Sequence, residues 1–480
     1  MSLISTAVAF GVVTSFLGQL KAHFGLDNAQ VGLIGGAALW GFTISIFILG
    51  PLCDALGMKF LMRFAFVCHV IGVLTMIFAT GFASLFIGAL IIALGNGTVE
   101  AACNPLIATI FPNDKTKKLN QFHMWFPGGI VIGGLFAFFI DNNIMPNDPH
   151  AWQIKLALVL LPTLIYGVLF IGQKFPATER VQSGLSFGGM VAATFGRPLF
   201  IVLFFCMMIT ASLELGPGRW MGEAMAGAVK EVTNFGNAGI LVLVYGSVLM
   251  ALLRFFAGPV VHKLSNTGLL TVSAILGGSG LYMLTTVHSA AAIITAATIF
   301  YVGVCYFWPT MLGTAAERIP KGGALALAIL GGTGMAVVGL VTVPLMGLIA
   351  DNYVRTSLPA TETKAALAEI ATSYSMMPKS DDITAARKSA QDAIASGDPS
   401  EEAASLRAAV KAAPDSPAGI QAAALLKPAD EIGTVMSFRW VAASAIILVL
   451  VFGILYLRDL AAGGYKPEHI GSTAESAASV

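Results

Sequence analysis

The sequence predicts an all-α membrane protein with twelve transmembrane helices arranged as two pseudo-symmetric six-helix bundles, and three observations predict it. Hydrophobic residues make up 56% of the chain and charged residues 11%, with a mean hydropathy of +0.81, whereas soluble domains carry about 25% charged residues. Apolar stretches long enough to cross a ~30 Å hydrocarbon layer recur twelve times. Short motifs in the first half return 208 positions later in the second.

The first stretch, residues 3–20, lacks the basic n-region and small-residue cleavage site of a removable leader, so it reads as a retained helix. Five more follow at 31–53, 60–80, 84–106, 121–140 and 154–172. A second set lies at 198–216, 237–257, 268–288, 290–312, 324–350 and 436–457. The expected organisation is an N-terminal bundle at 1–172, a cytoplasmic linker at 173–197 and a C-terminal bundle at 198–480. One set of short loops and the tail collect fourteen cations: Lys59, Arg63, Lys115, Lys117, Lys118, Lys174, Arg180, Arg197, Arg254, Lys263, Arg318, Lys321, Arg458 and Lys466. The other short loops hold four, Lys21, Lys155, Arg219 and Lys230. The positive-inside rule therefore puts both termini in the cytoplasm, with the chain in the cell inner membrane. Residues 351–435, between helices eleven and twelve, then form an extracytoplasmic insert. Its Ala-rich runs at 363–371, 383–395 and 400–413 alternate with Pro and Gly, which predicts a few short surface helices in an exposed cap or spacer.

Composition also excludes. A net charge of +1 offers no basic surface for nucleic acid. Cys53, Cys68, Cys103, Cys206 and Cys305 are widely spaced in apolar sequence and make neither a disulfide framework nor a metal site. Gly-Lys never occurs, so there is no phosphate-binding loop, and no HExxH is present. The chain is therefore expected to use no cofactor or metal, and not to be an enzyme.

Gly50-Pro-Leu-Cys-Asp-Ala-Leu-Gly57 closes helix two, and Gly258-Pro-Val-Val-His-Lys-Leu-Ser265 closes helix eight, 208 residues later. Ile110-Phe-Pro112 and Arg318-Ile-Pro320 keep that displacement, as do Gly95 and Gly303. A shared offset implies two parallel halves, with a solute site near the midplane between them that is opened alternately to either side.

Gly50, Asp54, Gly57 and Lys59, with Arg63 one turn on, resemble the GxxxDxxGxK loop motif of the major facilitator superfamily. The motif reads as a latch: Gly50 permits close helix packing, and Asp54 caps a helix or pairs with a cation. Helix four carries Glu100-Ala-Ala-Cys-Asn104, and Asn120 and His123 open helix five. These resemble the fucose:proton symporter family of sugar carriers. The resemblance implies that Glu100 belongs to a sugar and proton site, and that Glu214, in Glu214-Leu-Gly-Pro-Gly-Arg-Trp220, is a second coupling residue. Helix one lacks the acidic residue that relatives can carry, so the resemblance does not extend to proton coupling through helix one, and Gln19 is counted with the solute site.

Read without the family, Glu100 points the same way, since a carboxylate inside a membrane helix costs at least ~2.5 kcal/mol and marks a functional or paired group. At the 208 offset Glu100 matches Trp308, and Tyr301, Cys305 and Trp308 share one helical face. An aromatic platform facing Glu100, Asn104, Asn120, His123 and Gln19 suits a neutral sugar. The sequence thus predicts a monomeric secondary transporter in the lipid bilayer, moving a small polar solute with protons. Uniport, antiport or a sensor built on the 351–435 loop are the alternatives.

Overall fold

The computed structural model describes residues 1–146, 148–233, 238–378 and 380–470, and among them there is no strand. The spans are α1 (Ser2–Phe24), α2 (Asn28–Leu49), α3 (Met58–Ile77), α4 (Phe82–Ile110), α5 (Lys115–Ile144), α6 (Ala151–Leu169), α7 (Pro198–Thr233), α8 (Ala238–Phe255), α9 (266–283), α10 (Ala290–Arg318), α11 (Pro320–Ser357) and α12 (Pro417–Ala461). Ten of these are by themselves long and apolar enough to cross a membrane. The stretch holding α8 and α9 bends by 82° at Phe256. It then breaks again at Ser265, whose φ of 60° and ψ of 172° are not helical, so it supplies two spans and not one. Twelve helices result, as the hydropathy predicts.

A lipid-facing surface is written into α3. Phe60, Phe64, Val67, Ile71, Leu74 and Phe78 are all exposed and recur every three or four residues along one stripe. In water such a stripe would drive aggregation, whereas in hydrocarbon it is ordinary solvation. The chain is a multi-pass integral membrane protein.

The sequence repeat is a repeat in space. Gly57 has φ 82° and Ser265, its counterpart, φ 60°, so both loops turn through left-handed backbone. α4 ends at Ile110 and α10 at Arg318, again 208 apart. A Cβ on Gly72 would meet backbone of α4 at Ile92 and Gly88, and one on Gly280 would meet backbone of α10 at Phe300 and Ala296. Small residues at matching positions therefore let α3 pack on α4 as α9 packs on α10.

The chain divides into two compact units. The first holds residues 1–283, 287–342 and 441–480 and carries the transmembrane bundles. The second holds Leu284–Thr286 and Val343–Trp440. Its helices Ala360–Ser373, Asp381–Ser396 and Pro399–Ala412 fall on the Ala-rich runs. Ser380 and Asp398 cap the latter two through the backbone N–H groups of Ile383 and Ser400. Alanines allow close approach around Leu367, Ile370, Tyr374 and Leu406, which form this unit's own core.

Candidate functional site

Glu100 lies ten residues from the Ile110 end of α4, about 15 Å at 1.5 Å per residue, which is half the ~30 Å hydrocarbon thickness. Its side chain is buried. Oε2 accepts from Asn104 Nδ2 at 2.6 Å, one turn along. Asn104 Oδ1 in turn accepts from His123 Nε2 at 3.0 Å, an arrangement that puts the imidazole proton on Nε2. His123 Nε2 also stands 3.7 Å from Glu100 Oε2. The indole of Trp308, from the other half of the repeat, lies beside Glu100.

Beside this cluster sits Arg254, buried at 2% exposure. Nη2 donates to Glu214 Oε1 at 2.8 Å, Nε to the Cys305 carbonyl at 2.6 Å and Nη1 to the His123 carbonyl at 3.1 Å. Those two carbonyls are free for a reason legible in the chain. An α-helical carbonyl is normally taken by the N–H four residues on, and here those residues are Pro309 and Pro127, which have none. Helix breaks at Met124 and at Cys305–Tyr306 accompany the prolines. One guanidinium thus joins α5 of the first half to α7, α8 and α10 of the second. Glu214 Oε2 and Asn120 Oδ1 are buried and meet no donor among the described residues.

The structure brings Glu100, Asn104, His123, Trp308 and Glu214 together. Asn120 sits one turn below, its Nδ2 donating to the Thr116 carbonyl at 3.0 Å and to Thr310 at 3.3 Å. Tyr301 packs on Gly246 and on the ring of Tyr245. Gln19 lies elsewhere, donating to Asp141, which is paired with the buried Lys155 at 2.8 Å. His69 bonds Tyr166 and Asn96, both at 2.9 Å, and so braces α3 on its neighbours. In the sequence Arg254 and Arg219 both read as loop charge, Arg254 four residues before Gly258 and Arg219 just after a Gly-Pro-Gly.

At the end of the bundle where α2 stops, the charged side chains of the Gly50–Lys59 motif are paired. Asp54 accepts from Arg180 and from Thr178, and Lys59 donates to the Gln173 carbonyl at 2.6 Å. Both contacts fall on residues 173–197, which connect α6 to α7. Arg63 lines a shallow groove with Lys59 and Phe66. A Cβ on Gly50 would stand 2.1 Å from Cβ of Ala328, so only glycine lets α2 meet α11 there. Glu317 seals the same end, accepting from the Thr116 N–H at 2.9 Å and from Asn266 at 3.0 Å. Toward the far end α1, α2 and α4 line a narrow cleft that Arg219 of α7 also borders and that reaches down to Asn96, one turn from Glu100.

Comparison with known proteins bears on the fold. The family model described as Major Facilitator Superfamily matches residues 1–342. The glucose transporter GlcP of Staphylococcus epidermidis is 26% identical over 161 residues, covering 34% of this chain and 35% of its own length. The gentisate transporter of Corynebacterium glutamicum is 24% identical over 360 residues, 71% of this chain and 77% of that protein. The D-xylose transporter of Levilactobacillus brevis is 23% identical over 162 residues, 34% of each. The alignments to the two sugar carriers thus span about a third of those proteins. Among solved structures, the E. coli fucose:proton symporter FucP superposes with a TM-score of 0.59 at 16% identity, covering 73% of this chain and 91% of FucP. The proton:xylose symporter XylE superposes at 0.60 and 15% identity, covering 72% and 87%.

Proposed function

The chain belongs to the Major Facilitator Superfamily, and from that premise we propose that it is a secondary transporter moving a small polar solute of the sugar class by alternating access, in symport with protons. The observation that carries the reading is the buried site itself. One guanidinium, Arg254, stands among two carboxylates, Glu214 and Glu100, and binds the first directly. A single proton on either acid balances the charge of the site, and losing it leaves an uncompensated charge in low dielectric. Because the same side chains join the two halves, a change in proton count alters how firmly the halves hold together.

Glucose and xylose carriers among the relatives support the solute class. Trp308, with Asn104 and Asn120 nearby, offers the aromatic face and amide groups that a pyranose uses. In this reading the halves are residues 1–172 and 198 onward, joined by 173–197. The Asp54 end and both termini face the cytoplasm of an inner membrane, and a monomer suffices.

The test is uptake of radiolabelled fucose, hexoses and nucleosides into proteoliposomes with and without an imposed proton gradient, comparing wild type with Glu100→Gln. Gradient-driven accumulation lost in the variant, with solute exchange across equal gradients retained, is the expected outcome. Saturable uptake indifferent to both the gradient and the substitution replaces symport with uniport.

A further inference from the structure

Arg219 lies on α7 three residues past Glu214-Leu-Gly, inside the stretch Pro198–Gly222 that is apolar enough to span the membrane. Its side chain is exposed, yet the surface it is exposed to is the wall of the cleft. Across from it stand Phe10 and Thr14 of α1, Ile34 of α2, and Ala93 and Asn96 of α4. The other cations deep in the bundle are matched to carboxylates: Arg254 to Glu214, Lys155 to Asp141, Lys115 to Glu179, and Arg180 to Asp54. Arg219 has neither an ion pair nor a hydrogen bond among the described residues. An unpaired guanidinium within a membrane span is costly, and such residues mark substrate paths.

We propose that Arg219 is a carboxylate subsite of the cleft, so that the solute carried through it is a small organic anion whose carboxylate docks on the guanidinium. The planar fork of arginine matches a carboxylate with two parallel N–H to O bonds. The cleft is narrow, about 70 Å³ inside, and room for a solute comes with the opening that alternating access supplies. Its wall leaves two polar groups besides the guanidinium, Thr14 and Asn96, enough to orient one or two hydroxyls on a compact body. Sugar acids and hydroxylated aromatic acids share that chemistry. The inference rests on the carrier reading above, not on the assignment of Glu100 as the coupling group, and narrows the solute of that reading to one that bears a carboxylate.

The experiment is binding to the purified full-length protein by titration calorimetry, with D-glucuronate, 2,5-dihydroxybenzoate and D-glucose as probes, for wild type, Arg219→Gln and Arg219→Lys. Binding of at least one carboxylate to wild type, weakened about tenfold or more in Arg219→Gln and less in Arg219→Lys, is expected. Which acid binds separates the sugar acid from the aromatic one. In parallel, phenylglyoxal modification of Arg219 read by mass spectrometry needs no variant: the carboxylate that binds should protect the side chain and D-glucose should not. Glucose binding without carboxylate binding, no binding of either acid, or carboxylate affinity unchanged in Arg219→Gln overturns the subsite. Carboxylate binding that depends on Arg219, together with uptake indifferent to Glu100→Gln, leaves the subsite standing and removes only the coupling assignment.

Discussion

Arg254 is held by two prolines as much as by Glu214. Pro127 and Pro309 withhold the N–H groups that would occupy the His123 and Cys305 carbonyls, and the guanidinium takes both. Glu214→Gln leaves this cation buried without its counter-charge, and removing one partner of a buried pair costs ~3–5 kcal/mol. The variant should therefore melt well below wild type in detergent, whereas the double variant Glu214→Gln with Arg254→Met should regain much of the difference. A double variant no more stable than the single one would show that the ion pair does not carry the loss. Pro127→Ala should close the α5 hydrogen bond onto His123 and take one ligand from Arg254, which slows transport more than it lowers melting temperature, measured on the same preparation. Glu100, Asn104 and Trp308 were legible in the sequence because a carboxylate in an apolar run is rare and because the 208 offset pairs it with the indole. Arg254 and Arg219 were not, since a cation at a span's edge has the same sequence signature whether it faces water or turns inward.

Among the elements, the connection 173–197 works as a strap. Arg180 reaches Asp54, Glu179 reaches the buried Lys115 at 2.6 Å, and Lys115 also donates to the Ala316 carbonyl at 3.3 Å. Asp54 belongs to a recognisable motif, but its partner is found 126 residues away, a distance no local pattern spans. Asp54→Asn replaces a charge-assisted bond of ~1.5–3 kcal/mol with a neutral one and should shift the balance toward opening at this end. A cysteine placed at Ala316 should then react about tenfold faster with a membrane-impermeant maleimide than in the Asp54 background; unchanged labelling would mean that the strap does not bear on opening. The five native cysteines are buried and leave little background. The tail after α12 adds a second strap. Tyr465 Oη accepts from Asn266 at 2.9 Å and its ring lies under Arg318. Burial, with Glu317 beside it, holds the phenol well above its ordinary value of 10.0. The folded state thus binds this proton more tightly than the unfolded one. Tail docking is fully present below pH 10 and lost as pH climbs beyond it, so limited proteolysis of the tail should accelerate above that pH in wild type but not in Tyr465→Phe.

Over the whole molecule, hydropathy located the spans but not where helices end. α12 was expected to begin at 436 and begins at Pro417. Its 45 residues measure about 68 Å, over twice the ~30 Å hydrocarbon, because the Ala-rich stretch before the apolar run is itself a good helix former. A drop in hydropathy marks a change of solvent, and the backbone continues through it. The second unit has a core of its own: Leu367, Ile370, Tyr374 and Leu406 are buried among alanines, and Tyr374 Oη donates to the Ala409 carbonyl at 2.9 Å. Residues 360–412 supply most of this core from their own side chains. Replacing residues 360–412 by a short Gly-Ser linker should therefore leave the first unit folded and solute uptake within about twofold of wild type, since a flexible replacement alters loop-closure entropy only slightly. If uptake is retained, transport belongs to the twelve-helix body and the insert is an accessory. If uptake disappears while the truncated protein still melts cooperatively, the insert takes part in the transport cycle or in sensing the solute, and the carrier reading must be redrawn to include it.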